Sequence, residues 1–226
     1  MLRLLVILIY AMFYIRKVKK FWASLVLAAF AGVIYCSWPL GYLLNPAVSR
    51  RGLASELEAL HQPYNWLFIL LDVLSGLLVT AVALLLWRRS RDKLHKIVLV
   101  NFALFGILTL IDALLPMSCD PSLKVCPGLS HQPLLVLHGI ASIVASVCLF
   151  VSAVLVWWAK RQYAASLLMS TLMAGWALFG IFSVYFFFEP GPGYLAQHYY
   201  ITLCSVWVMV LPLMFAPKTQ LAKLNA

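Results

Sequence analysis

Six long apolar segments dominate this sequence and constrain its fold more than any other feature. A helix needs about 20 apolar residues to cross the ~30 Å hydrocarbon core of a bilayer. Only helices or closed barrels satisfy their backbone groups in lipid, and these segments lack the period-two alternation of barrel strands. The predicted spans are Phe21–Leu44, Trp66–Trp87, Ile97–Leu115, Leu134–Trp158, Ala164–Phe188 and Tyr199–Phe215. We therefore predict an all-α polytopic integral membrane protein, built as a six-helix transmembrane bundle.

The composition and the segment order predict a single membrane domain. Hydrophobic residues make up 64% of the chain and charged residues 11%, whereas soluble domains contain about 45–50% and about 25%. The predicted six-helix domain covers residues 21–217, between a cytoplasmic or interfacial segment (1–20) and a cytoplasmic tail (218–226). The leading apolar stretch Leu4–Ile15 is too short to span, and its basic cluster follows it, unlike that of a secretory signal.

Membrane topology explains the net charge of +10 better than nucleic-acid binding does. Basic residues cluster in alternate loops, at positions 16–20, 88–96, 160–161 and 218–223. Short loops rich in Lys and Arg stay on the cytoplasmic side. We therefore predict a multi-pass protein of the bacterial cytoplasmic (inner) membrane with both termini in the cytoplasm. Its partners would be membrane lipids and not nucleic acid.

Three ionisable residues fall inside predicted spans, near their outer ends. Asp72, Asp112 and His138 should lie roughly 5–12 Å below the outer interface. Such groups cost at least about 2.5–3.5 kcal/mol there, so they should face the bundle interior and find partners. A carboxylate–histidine pair in a low-dielectric pocket suits proton transfer near neutral pH. We predict these residues to be the catalytic set of a pocket at the outer leaflet, with interhelical packing as their alternative role.

Outer loops supply further polar residues to the predicted pocket. The segment "SRRGLASELEALHQPYNW" is predicted to form a short interfacial helix, and "EPGPGYLAQHYY" a rigid turn set by Pro and Gly. The predicted pocket-rim residues are Glu56, His61, His131, Glu189, Gln197 and His198. Asp and His from several helices could hold zinc, but no HxxxH or HExxH motif is present, so no metal ligand is assigned. Ser75 is a conceivable nucleophile that nothing in its surroundings marks out.

Two cysteines lie in the predicted outer loop after the third span. We predict that Cys119 and Cys126 form a structural disulfide, because that side of the membrane is oxidising. The alternative is a thiol–disulfide exchanger, but such enzymes usually carry a close CxxC pair and a second pair, which this chain lacks. Cys36, Cys148 and Cys204 occur singly within spans and are predicted to pack as small apolar residues.

Several short motifs resemble one known family. "SELEALHQPYNW", followed by a helix with Asp72, Ser75 and Gly76, resembles the Ser-Glu-Leu segment and second helix of the bacterial membrane family catalogued as domain of unknown function 998. "DALLPMSCDP" followed by "LHGIAS" is similar to that family's third outer motif. "GYLAQHYY" is similar to its segment before the last helix, where His198 stands in place of a common Arg. The resemblance covers nearly all of the chain from about Phe21, and it implies a six-helix bundle with no settled activity.

The preferred functional hypothesis is a membrane protein that binds a lipid-like or amphipathic ligand in an outer-leaflet pocket. Hydrolysis of that ligand by a membrane-embedded hydrolase is its enzymatic version. The first alternative is a non-enzymatic accessory subunit of a membrane protein partner, or a transporter-like protein. Transporters often carry repeats and broken helices near the midplane, and neither is evident here. The second alternative is the thiol–disulfide exchanger.

Overall fold

The computed structural model describes residues 21–50, 52–120, 133–160, 174–182 and 193–215. These residues form helices joined by turns, and they contain no strand. The α-helices are α1 (Phe21–Tyr35), α2 (Trp38–Leu44), α3 (Pro46–Ser49), α4 (Asn65–Trp87), α5 (Lys93–Ala113), α6 (Pro133–Lys160), α7 (174–182) and α8 (Gly193–Val210). Two 3₁₀ helices cover Ala54–Glu58 and Leu211–Phe215.

Length and apolarity qualify four of the described helices as membrane spans. They are α4, α5, α6 (as Pro133–Trp158) and the segment Leu195–Phe215, with mean hydropathies from 1.5 to 2.5. The consecutive helices α1 and α2 qualify together as a fifth. The chain is therefore an all-α polytopic membrane protein, as predicted. The count of six spans stays a prediction, because only residues 174–182 of the predicted span Ala164–Phe188 are described.

The predicted first span is not one continuous helix. It breaks at Cys36 and Ser37, and α2 continues at 43° to α1. Pro39 lies in the first turn of α2, where a helix needs no N–H donor. In one continuous helix, residue 39 would have to donate a hydrogen bond to the Tyr35 carbonyl, and proline has no N–H to donate. The break turns Trp38 toward α8, where its Nε1 donates to Thr202 Oγ1 at 3.2 Å.

The boundaries of the third and sixth predicted spans also differ from the structure. Helix α5 begins at Lys93 because Asp92 caps it, accepting a hydrogen bond from the His95 backbone N–H at 2.9 Å. Helix α8 begins at Gly193, and its continuation becomes a 3₁₀ helix at Leu211. Pro212 cannot donate within that last turn.

A close antiparallel pair, α4 and α5, positions the ionisable residues. The short turn after Trp87 connects them, and Gly76 of α4 lies against Gly106 of α5. A Cβ on Gly76 would lie 2.6 Å from the Gly106 carbonyl oxygen, so only glycine allows this approach. Because the helices run antiparallel, Asp72 near the start of α4 and Asp112 near the end of α5 lie at the same end of the bundle.

The apolar core draws on every long segment that the structure describes. Its buried members include Ala31 of α1, Val79 of α4, Phe102 of α5, Leu149 of α6 and Cys204 of α8. Large apolar residues on the opposite faces of these helices remain exposed, as expected for surfaces that contact lipid tails. Helix α5 packs against both α4 and α6, so it forms the central element behind the site.

Candidate functional site

A cavity of ≈ 660 Å³ lies between the helices, within the range of about 300–1,000 Å³ that is typical of ligand pockets. Its wall takes residues from the α1–α2 break, the 3₁₀ helix Ala54–Glu58 and α4 to α8. The polar wall residues include Glu58, Asp72, Asp112, His138, Ser142 and Gln197, and the apolar ones include Leu135, Ile140, Phe150, Trp176 and Ile181. The cavity is therefore chemically mixed, with ionisable groups set in a largely apolar wall.

His138 of α6 binds the C-terminal end of α5 through one ring nitrogen. Its Nδ1 lies 3.1 Å from Asp112 Oδ1 and 3.3 and 3.2 Å from the carbonyl oxygens of Asp112 and Leu115. The Asp112 carbonyl also accepts the Leu115 N–H at 3.0 Å, and a carbonyl oxygen has two lone pairs, so it can accept from the ring as well. All three neighbours are acceptors, so we assign the proton to Nδ1.

The other ring nitrogen of His138 is an open acceptor. The residue is only 1% exposed, and its Nε2 is buried with no hydrogen-bond partner among the described residues. With the proton on Nδ1, Nε2 of the neutral ring carries a lone pair. Since His138 lines the cavity, this lone pair is buried at the cavity wall.

Ser142 completes the support of the Asp112 carboxylate. Its Oγ donates to Asp112 Oδ2 at 2.8 Å, and it lies one helical turn from His138 on α6. Ser75 is placed differently, because its buried Oγ donates to the Ala31 carbonyl at 3.1 Å and so joins α4 to α1. This contact is a packing role, and it gives no support to Ser75 as a nucleophile.

A second pair of acids, Glu58 and Asp72, forms the other half of the polar wall. Both carboxyl groups line the cavity, and they lie close enough for each to act on the other, so the pair can share one proton. Burial raises the pKa of Glu58 well above its ordinary value, and the carboxyl groups of Asp72 and Asp112 raise it further. The site therefore combines a proton-sharing acid pair with a carboxylate–histidine pair.

The sequence did not identify Glu58, because the orientation of the short helix before α4 cannot be read from a polar loop. Residues Ala54–Glu58 form a 3₁₀ helix, in which positions three apart share a face. Ser55 and Glu58 accordingly line the cavity, whereas the predicted rim residue Glu56 is buried outside the described wall. Gln197 of α8 lines the cavity and accepts a hydrogen bond from the Ala54 N–H at 2.6 Å.

His61, another predicted rim residue, belongs to a separate polar cluster. Its Nε2 lies 2.6 Å from Asp120 Oδ2, and Gln62 Nε2 donates to the same oxygen. Gln62 also accepts from Asn45 Nδ2 at 2.7 Å. This cluster ties together three loop segments, and none of its residues is in the described wall of the cavity.

His198 lies behind the cavity wall, stacked on Trp38. The two rings are nearly parallel, at 6°, with centroids 4.4 Å apart, and Tyr42 packs edge-on against His198 at 6.3 Å. Trp38 itself lines the cavity. His198 therefore supports an aromatic wall residue and is not part of the described wall.

Three of the predicted residues lie outside the described part of the chain, namely His131, Glu189 and Cys126. The Cys119–Cys126 disulfide consequently stays a prediction, with Cys119 buried against Ala59, Met117 and Leu135. Cys36, Cys148 and Cys204 are free. Within the described residues, no three His, Cys, Asp or Glu side chains are grouped so that they could hold a metal ion.

Comparison with known proteins identifies the family of this chain. No curated protein and no solved structure matches the chain. The family model described as "Protein of unknown function (DUF998)" matches residues 26–215, a range that includes every residue of the cavity wall discussed above. The chain therefore belongs to the domain of unknown function 998 family.

Proposed function

We propose that this membrane protein binds a lipid-like, amphipathic ligand in the cavity and hydrolyses it, with the Asp112–His138 pair as the catalytic base. The observation that carries the proposal is the buried Nε2 of His138, which has no partner among the described residues while Nδ1 faces only acceptors. Asp112 orients the ring and stabilises the imidazolium that forms when Nε2 takes a proton.

The mixed wall of the cavity supports an amphipathic ligand. Apolar side chains such as Ile140, Phe150 and Ile181 suit an alkyl chain, and the ionisable groups suit a polar head. The bilayer is the natural source of such a molecule, because the protein is itself embedded in it. In the predicted topology the ligand would enter from the outer leaflet.

Hydrolysis of an ester bond needs a base and an acid, and the site offers both. His138 Nε2 takes a proton from a water molecule whose oxygen attacks the ester carbonyl carbon. The carbon–oxygen bond to the leaving alcohol then breaks, and the alcohol oxygen takes the proton that Glu58 and Asp72 share. The imidazolium returns its proton to the acid pair, so one ester and one water give one carboxylic acid and one alcohol.

The test uses a variant that distinguishes the roles of the two ring nitrogens of His138. His138→Asn keeps a side-chain N–H donor close to the position of Nδ1 and removes Nε2. The purified protein, in vesicles of bacterial lipid extract, is given a long-chain fatty acyl p-nitrophenyl ester. Released p-nitrophenol is followed by absorbance, and fatty acid from the lipid extract by mass spectrometry. We expect hydrolysis by the native chain and a loss of about 10²–10⁴-fold in kcat for the variant.

Asp92→Asn is the matched control, because Asp92 caps α5 at the opposite end of the bundle and asparagine is also a good cap. It should hydrolyse the ester at the native rate. Absence of hydrolysis by the native chain with both the ester and the lipid extract would reject the hydrolase. Binding of amphiphiles without turnover would instead favour the non-enzymatic alternative.

A further inference from the structure

We propose that the head of the ligand carries a protonated amine, which donates hydrogen bonds to the Glu58–Asp72 pair and to His138 Nε2. This inference rests on the proposed function only in that an amphiphile must occupy the cavity. It concerns binding and not hydrolysis, because an ammonium head on Nε2 and on the acid pair occupies the groups that would serve as base and acid toward an ester bond. It names the chemical class of head that the described wall can bind.

The charge of the wall favours a cation over an anion. Three carboxyl groups line the cavity, from Glu58, Asp72 and Asp112, and none of the described wall residues is Lys or Arg. A phosphate, sulfate or carboxylate head would be repelled by carboxylates here, and it would find no Lys or Arg among the described wall residues to bind it.

The wall also carries donors such as the Trp176 indole N–H, but its ionisable groups offer acceptors, which narrows the head further. His138 Nε2 is buried and lacks a donor among the described residues, and Asp112 Oδ1 receives only the Nδ1 contact of the same ring. A primary ammonium group has three N–H donors. It could bind the acid pair in place of the shared proton and still donate to Nε2. A quaternary ammonium group has no N–H and could not satisfy Nε2.

Aromatic rings in the same wall strengthen the preference for a cation. Tyr35 and Trp38 at the α1–α2 break line the same cavity as the three acids. Ring faces attract cations more strongly when both are withdrawn from water.

The test compares amphiphiles that share one alkyl chain and differ in the head: dodecylamine, dodecanol, dodecanoic acid and dodecyltrimethylammonium. Kd is measured near pH 7 by calorimetry on the full chain in nanodiscs of a zwitterionic lipid. Empty nanodiscs are measured in parallel to subtract partition into the lipid. We expect dodecylamine to bind at least about tenfold more tightly than each of the others, because it alone offers charged N–H donors.

Neutral isosteres test the assigned acceptors. The Glu58→Gln/Asp72→Asn double variant should lose the tenfold preference for the amine while its affinity for dodecanol stays unchanged. Glu58→Gln alone keeps a hydrogen-bonding partner for Asp72, so it tests the same point if the double variant does not fold. Asp92→Asn makes the same change of charge away from the cavity and should keep the full preference.

The possible failures can be told apart. The inference would be overturned if all four heads bound equally, if dodecanoic acid bound best, or if the trimethylammonium compound bound as tightly as the amine or more tightly. It would also be overturned if the double variant kept the preference for the amine. Each of these outcomes leaves the proposed cavity function standing. If dodecanol and dodecylamine both fail to bind, the proposed amphiphile site itself is wrong.

Discussion

At the scale of single residues, Glu58 makes the stability of the folded protein depend on pH. Burial raises the pKa of its carboxyl group well above the ordinary value of 4.5, and Asp72 and Asp112 raise it further. The folded protein therefore holds a proton that the unfolded chain has already lost at the same pH. The stability that depends on this proton is fully present below pH 4.5 and is lost as the pH rises through the raised pKa.

We predict that the thermal stability of the native chain falls as the pH rises from about 5 to about 9. The thermal stability of the Glu58→Gln variant should fall less steeply over the same range. The amide stays neutral across this range and can still donate a hydrogen bond to Asp72. The measurement is Tm by intrinsic fluorescence in one detergent at a series of pH values. Parallel slopes for the two proteins would mean that the proton on Glu58 does not contribute to folding.

Sequence reasoning could find some residues of the site and not others, for physical reasons. Asp72, Asp112 and His138 stand out because ionisable groups are expensive within apolar spans. Their pairing was not predictable, since it depends on which helices pack together. Glu58 was missed because a short polar loop does not reveal which of its residues faces the bundle, and that orientation decides whether position 56 or 58 lines the cavity.

At the scale of helices, the contact between α4 and α5 sets the distance between Asp72 on α4 and Asp112 on α5. A Cβ on Gly106 would lie 2.6 Å from Thr80 Oγ1, 2.7 Å from the Gly76 carbonyl oxygen and 2.9 Å from the Thr80 backbone nitrogen. Two of these three atoms belong to the backbone of α4 and cannot rotate away. Any side chain at Gly106 must therefore push the helices apart.

We predict that Gly106→Ala destabilises the protein by about 1–3 kcal/mol, the usual cost of overpacking. Gly175→Ala is the matched control, because a Cβ there meets only Leu203 Cδ1 at 4.0 Å. It should leave stability unchanged or raise it slightly, since alanine is the better helix former. Both are measured by urea or SDS titration in mixed micelles. Equal stability of the two variants would show that the α4–α5 contact is looser than described.

Helix existence was far easier to predict from this sequence than helix continuity. Apolar runs such as the one that became α4 leave little choice in lipid, because backbone groups need internal partners. The α1–α2 break was missed because hydropathy continues smoothly through it, while Pro39 changes the backbone and not the apolarity. The side-chain direction of Trp38, and with it one aromatic wall of the cavity, follows from that break.

At the scale of the whole molecule, two tryptophans give the depth of the site. Trp66 and Trp87, at opposite ends of α4, are both exposed, as expected for residues of an interfacial belt. At 1.5 Å per residue they are about 32 Å apart, which matches the hydrocarbon thickness. Asp72 is then about 9 Å from the Trp66 interface. We therefore predict that the ionisable part of the cavity lies within the leaflet on the Trp66 side.

The sidedness of that leaflet follows from the distribution of charge. The loop after Trp87 carries a dense group of basic residues, and Lys96 Nζ from this end lies 5.5 Å from the ring centre of Trp87. Basic loops stay in the cytoplasm. We therefore predict that the Trp87 end is cytoplasmic and that the cavity lies in the outer leaflet.

Single-cysteine labelling in intact bacterial cells tests this orientation. In a chain with its native cysteines replaced by alanine, Leu60→Cys should react with a membrane-impermeant maleimide, because Leu60 is 59% exposed at the Trp66 end. Ser90→Cys, in the basic loop, should react only after the membrane is permeabilised. The cysteine-free chain sets the background. The reverse pattern would place the basic loop outside and move the cavity to the cytoplasmic leaflet, where a ligand of the same chemistry would have to come from the other face of the bilayer.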